Sequence, residues 1–196
     1  SLAYIEVFGT SLDRPSFIPY IPFYLPWGSP NPDDAYRIAP VVDSGVYRLS
    51  GTRGTGPIGK VSLRNRGPHR GELTGGTIKE IDLNLASADA EGRFSLIVSA
   101  KRPAGYDGPW EEMPAGIHSM LYRSRLYGPG QRDPECLIER LDTVAPSAFP
   151  SAGQMAYQTA AMVTYAPRQI EFLLGYLNKI RARGGDKGFI VDDQTE

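Results

Sequence analysis

Between residues 35 and about 140, apolar and polar side chains alternate with a period of two, and Gly, Pro and Asp interrupt the alternation every few residues. Neighbouring side chains of a strand point to opposite faces, so this pattern makes short, half-buried strands joined by turns. It predicts strands at 36–42, 46–50, 58–65, 78–85, 93–99, 117–127 and 137–140. Asp43-Ser44-Gly45 is expected to close a hairpin between the first two. Asp89-Ala90-Glu91-Gly92 is expected to turn into the strand that carries Phe94, Leu96 and Val98 on one face. No helical pattern separates the strands, which favours an antiparallel sandwich or barrel over a parallel α/β sheet.

After Ala145 the period changes. Ser151 can cap a helix with Met155, Thr159, Met162 and Val163 near one face, and Pro167 can open a second with Ile170, Leu173, Leu174, Leu177 and Ile180 at three-to-four spacing. Gly184-Gly185 should end it. The fold class is therefore α+β, mainly β: an antiparallel β-sandwich with a C-terminal helical hairpin. Its expected divisions are an extended Pro/aromatic strap at 1–34, a sandwich core at 35–145, helices at 146–185 and a tail at 186–196.

With 196 residues the chain suits one domain that buries roughly 70% of its extended surface. Lys and Arg number 21 against 22 Asp and Glu, so no excess positive charge is available to hold nucleic acid or an anionic membrane. One cysteine, Cys136, and two histidines exclude an intrachain disulfide and a Cys/His zinc cage. No cofactor and no metal are expected. The most apolar window, from Phe17 to Trp27, holds Pro19, Pro22 and Pro26 and is far shorter than the roughly 20 residues of a membrane helix. No signal peptide is visible in SLAYIEVF, which leaves the compartment open with the cytoplasm as default.

Several familiar motifs fail in context. Gly54 to Val61 matches GxGxxG and nearly GxxxxGK, but both motifs need a helix after the loop, and here the loop runs into a strand. No GxSxG elbow occurs, and His118 and Ser119, as strand neighbours, would face apart. Asp133, Glu135 and Glu139 around Cys136 disfavour its thiolate, which suits a structural cysteine. The acidic pairs at 33–34, 111–112 and 192–193 lack EF-hand spacing.

The segment 117–127 is the most suggestive. Period two places His118, Met120, Tyr122 and Ser124 on one face, with Leu121, Arg123 and Arg125 on the other. An imidazole and a phenol among apolar neighbours can line a ligand, the first moving a proton near neutral pH and the second orienting an oxygen; satisfied core residues would look the same. Arg123 and Arg125 could grip a carboxylate bidentately or simply pair with surface acids. Arg64, Arg66, His69 and Arg70 crowd one turn, able to hold an anionic group or to sit solvated. Trp110, beside Tyr106, is a loop aromatic that could stack on a sugar or ring. In Asn31-Pro32-Asp33-Asp34-Ala35-Tyr36 a turn launches the first strand, and Asn31, Asp33 and Tyr36 could also face a pocket.

The blocks Asp13-Arg14-Pro15-Ser16-Phe17, Trp27-Gly28-Ser29-Pro30-Asn31-Pro32-Asp33-Asp34-Ala35-Tyr36 and Tyr47-Arg48-Leu49-Ser50-Gly51-Thr52-Arg53-Gly54, followed by Glu91-Gly92-Arg93-Phe94, Trp110 and Ile138-Glu139-Arg140, resemble the bacterial domain-of-unknown-function family twelve-fourteen and its relatives. The resemblance spans most of the region from Asp13 to Arg140. It implies a jelly-roll-like sandwich and carries no catalytic assignment. The Gly108-Pro109-Trp110-Glu111-Glu112 loop departs from the family's pattern.

The functional expectation is a cofactor-independent enzyme, a lyase, isomerase or hydrolase, acting by general acid–base chemistry on a small apolar or aromatic metabolite. His118 would move the proton, Tyr122 or Tyr36 would orient an oxygen, and Arg123 or Arg64 would anchor an anion. Two alternatives stand beside it: a non-catalytic module binding a small molecule or carbohydrate through Trp27, Trp110 and Tyr106, and a structural domain that forms a homo-oligomer through its C-terminal helices or N-terminal strap.

Overall fold

The period-two region folds into two facing β-sheets in the computed structural model, which describes residues 2–20, 33–73, 76–142 and 151–182. The chain starts with helix α1 (Leu2–Phe8) and continues through β1 (Ile18–Pro19), β2 (Asp34–Pro40), β3 (Tyr47–Thr52), β4 (Ile58–Arg64), a 3-10 turn (Pro68–Arg70), β5 (Thr77–Asp82), β6 (Arg93–Ser99), β7 (Trp110–Glu112), β8 (Ser119–Arg125) and β9 (Glu135–Arg140) to helix α2 (Ala152–Ala182). One sheet has the order β1-β2-β8-β4-β5 and the other β7-β6-β3-β9. Every pairing is antiparallel except that of β6 with β7.

The core lies between the sheets. Ala39, Val61, Leu63, Met120 and Tyr122 face inward from the first sheet, and Tyr47, Leu49, Phe94, Leu96, Val98 and Ile138 from the second. Their spacing along each strand is two, so burial of one face is what the alternation encodes. The tyrosine hydroxyls carried into this layer are satisfied: that of Tyr122 donates to the Pro134 carbonyl, and that of Tyr47 accepts the Val42 N–H at 2.9 Å. Cys136 is buried here, and burial pushes its thiol up to about 12, so it packs and does not attack.

Two expectations are corrected. Asp43-Ser44-Gly45 does not close a hairpin, because β2 and β3 belong to different sheets; the turn arches across the core, with the Asp43 carboxylate accepting the Gly116 N–H at 2.6 Å. The C-terminal segment is one 31-residue helix in place of a helical hairpin, with Pro167 inside it. Proline removes one helical hydrogen bond and normally costs about 3 kcal/mol. Contacts on both sides of Pro167 offset that cost: Tyr165 and Gln169 bond Glu6 of α1, and Arg168 donates to the Gly71 carbonyl at 2.8 Å. The helix starts as foreseen, with Ser151 Oγ accepting the Gln154 N–H and Gln154 Oε1 accepting the Ser151 N–H, a reciprocal cap.

The glycine-rich loop enters β4 at Ile58 and no helix follows it. A Cβ on Gly56 would lie 2.1 Å from the Arg125 carbonyl oxygen, so that glycine serves close strand approach, not a phosphate. Among the described residues no helix is long and apolar enough to cross a membrane.

Candidate functional site

The five-stranded sheet turns its second face away from the core, and register decides what gathers there. Tyr36 of β2 lies opposite Arg123 of β8, which lies opposite Lys60 of β4. One pair along, Ile38, Leu121 and Ser62 align, and Ser62 meets Glu80 of β5. Arg64 closes the row opposite Ser119. β1 then adds Ile18 beside Ile38, and Tyr20 follows with its N–H on the Tyr36 carbonyl at 2.9 Å. Ile18, Tyr20, Ile38 and Leu121 make a small buried apolar cluster with Tyr36 packed against it.

Arg64 sits in this setting largely withdrawn from water. Burial pushes its guanidinium below its ordinary value; Tyr20, Glu80 and Tyr36 oppose that shift and Arg123 adds to it. Its Nε is buried and, among the described residues, has no hydrogen-bond partner. A desolvated donor of this kind carries an unmet cost that an acceptor arriving from outside would relieve. Glu80 balances part of the charge: burial works against its ionisation, but bonds from Lys60 Nζ and Ser62 Oγ, both at 3.2 Å, and the nearby Arg123 hold it below its ordinary value. Arg123 lies 3.9 Å from Asp34 and keeps a third of its side chain exposed.

A second polar cluster joins α1 to α2. Glu6 is only 2% exposed. Its Oε2 accepts from the Tyr165 hydroxyl and Gln169 Nε2, each at 2.7 Å, while Oε1 is buried and has no partner among the described residues. Burial raises this carboxyl to about 7, against the two hydrogen bonds, which lower it. Tyr165 is pushed up by its own burial, with Tyr20 and Glu6 adding to the shift. Tyr20 is an electrostatic neighbour of both Tyr165 and Arg64, which makes the two clusters contiguous.

The residues singled out from sequence divide accordingly. Tyr36, Arg64 and Arg123 come together on the outer face. Arg125 shares that face but is committed, its Nε and Nη2 both bonded to Asp34 and its Nη1 to the Tyr127 hydroxyl at 3.1 Å. Tyr122 points the other way, into the core, with Phe17 and Arg37 against its ring; burial and Asp133 raise its hydroxyl above the usual tyrosine value. His118 precedes β8, half-buried, its N–H on the Arg64 carbonyl at 2.8 Å and its carbonyl accepting the Val41 N–H at 3.0 Å. Four residues of strand put it roughly 13 Å along β8 from Tyr122. The structure therefore does not gather His118, Tyr122 and Tyr36 around one point. His69 is a neighbour of His118; burial, then Arg70 and His118, push its imidazole down to about 3, so it is neutral. Trp110 lies on β7 in the other sheet, with Nε1 donating to Ser99 Oγ at 3.0 Å and Arg102 over its ring at 5.5 Å. Asp33 is exposed just before β2, its carbonyl accepting the Leu126 N–H. Asn31 and Trp27 lie outside the described residues.

Comparison with known proteins adds the fold alone. No family model matches the chain, and no curated protein matches it. A crystal structure of an uncharacterized protein from Burkholderia cenocepacia is similar in fold, with a TM-score of 0.64 and 22% identity over 88% of this chain. The chain spans 45% of that protein's length.

Glu6, Tyr20, Tyr165 and Gln169 were not foreseen. One signal was present: Glu6 is the sole charge within SLAYIEVF, and a charge set among apolar residues must find partners when its helix packs.

Proposed function

We propose that this domain binds, without transforming, a small apolar or aromatic molecule carrying an anionic group. Arg64 and Arg123 hold the anion, and the half-buried Tyr36, opposite Arg123, contacts the body of the ligand. The unpartnered, buried Nε of Arg64 carries the reading. Binding is favoured over acid–base turnover because His118 and Tyr122 stand roughly 13 Å apart along the strand, with the Tyr122 hydroxyl already donating to Pro134. The family resembled from sequence has no assigned activity and adds no chemistry.

Titration calorimetry with benzoate and with inorganic phosphate tests this. At least one should bind the wild type, and Arg64→Gln should weaken that binding by about 1.5–3 kcal/mol, roughly ten- to a hundredfold in Kd, as expected for losing a charge-assisted bond. Arg123→Gln should weaken it less, because that side chain is partly exposed and lies near Asp34. Unchanged binding in Arg64→Gln would remove the proposed anchor.

A second reading concerns assembly. The outward side of α2 exposes Val163, Ile170, Leu173, Leu174 and Leu177, whereas Ile18 and Tyr20 in the strap are buried within the chain. Among the described residues α2 carries the longer exposed apolar run, which makes it the candidate contact of a homo-oligomer.

A further inference from the structure

We propose that the outer face of the five-stranded sheet selects a monocarboxylate, such as an arylcarboxylate, over a phosphate, and that Glu80 is the residue that sets this preference. The inference rests on the binding reading and adds to it the class of anion.

The selection follows from the charges that register gathers on this face. β4 contributes Lys60 and Arg64, and β8 contributes Arg123 and Arg125. Asp34 of β2 lies opposite Arg125, and β5 sets Asp82 opposite Lys60 and Glu80 opposite Ser62. Arg125 and Asp34 neutralise each other through two bonds, and Lys60 and Glu80 pair at 3.2 Å. What is left is Arg64 and Arg123 against Asp82, one positive charge in excess. A bound carboxylate cancels that excess. A phosphate monoester, whose second pKa is about 6, is close to a dianion at pH 7.5 and overshoots it. The second charge must also shed its water at a half-buried site, where the remaining cations of the face are already paired.

Glu80 turns this balance into discrimination. It is an electrostatic neighbour of both anchors, Arg64 and Arg123. It keeps its charge against its partial burial because Lys60 Nζ and Ser62 Oγ both donate to it at 3.2 Å. An anion held by the two arginines therefore sits in the field of a fixed carboxylate, and the repulsion grows with the charge that the anion carries. Like charges brought together at a binding site reject the wrong ligand more than they weaken the right one.

Titration calorimetry of the full chain at pH 7.5 with benzoate and with phenyl phosphate, which share a ring and differ in charge, tests the proposal. Benzoate should bind the wild type at least about tenfold more tightly than phenyl phosphate. Glu80→Gln, a substitution at a partly exposed site, should keep its circular dichroism while tightening phenyl phosphate about fivefold and benzoate only about twofold, because the dianion feels the lost carboxylate twice over. Glu139→Gln removes the same charge from the other sheet, where Glu139 pairs with Arg48, and should change neither affinity. Phenyl phosphate binding the wild type as tightly as benzoate, or a Glu80→Gln protein whose two affinities stay put or shift equally, overturns this proposal and leaves the anion site in place. A wild type that takes up neither ligand overturns the anion site and this proposal with it.

Discussion

Glu6→Gln is expected to stabilise the protein by about 3 kcal/mol at mildly alkaline pH and to change little near pH 4.5, because a carboxyl raised from 4.5 to about 7 carries roughly that cost when it ionises. Between those two values the folded chain holds a proton on Glu6 that the unfolded chain releases. Stability from this group is therefore fully present below 4.5 and is lost as pH rises through 7. Glutamine keeps an acceptor for the Tyr165 hydroxyl and for Gln169 but never ionises. His69 contributes the opposite slope: its imidazole, depressed from 6.5 to about 3, costs stability as pH falls through that range. The two groups oppose each other over part of the range, so the wild-type profile alone would mislead. The difference between wild type and Glu6→Gln in urea unfolding across pH 4 to 8.5 isolates the carboxyl. It should grow with pH and level off above neutrality; a difference independent of pH would show that Glu6 is not buried as described.

Gly51→Ala should destabilise the protein by about 3 kcal/mol or more, since overpacking against main chain in a central strand has no cheap relaxation. β3 runs between β6 and β9, and a Cβ on Gly51 would stand 1.9 Å from the Glu135 carbonyl oxygen and 2.6 Å from its carbon. Both are backbone atoms of β9, so either that strand moves or its register with β3 is lost. Gly128→Ala, where nothing lies within 4 Å of the new methyl, is the matched control and should shift stability by no more than about 0.5 kcal/mol. A Gly51→Ala protein as stable as the control would contradict the close approach of β3 and β9.

The strands were legible because period two is a local property imposed by burial of one face, and 93–99 was bounded from sequence as it stands in β6. Partnership was not legible. Asp43-Ser44-Gly45 carries the same turn chemistry whether it closes a hairpin or arches between sheets, and the choice is made by β8, which takes β2 as its neighbour from far along the chain. β7 spans only three residues paired in parallel at an edge, too short to alternate. Pro167 reads locally as a helix start; the bonds that carry α2 through it come from Glu6 at the other end of the chain and from Gly71.

The candidate site divides along the same line. Facing along β8 correctly separated Arg123 and Arg125 from Tyr122, and Tyr36 and Arg64 joined the arginine side because register carried them there. Alternation alone does not say which face meets the other sheet, and that is why Tyr122 is a core residue with a satisfied hydroxyl. The Glu6, Tyr165 and Gln169 cluster forms between segments more than 150 positions apart.

Arginine side-chain NMR on the uniformly 15N-labelled protein reaches the central claim directly, since it observes the Nε–H of Arg64 itself. Assigned through Arg64→Gln, that resonance should move on titration with benzoate or phosphate and reach saturation, with a smaller shift at Arg123 and little at Arg125, which Asp34 already holds. An Arg64 Nε–H that stays in place while either anion is bound elsewhere, or while neither binds, would contradict an anion site on the outer face of the five-stranded sheet.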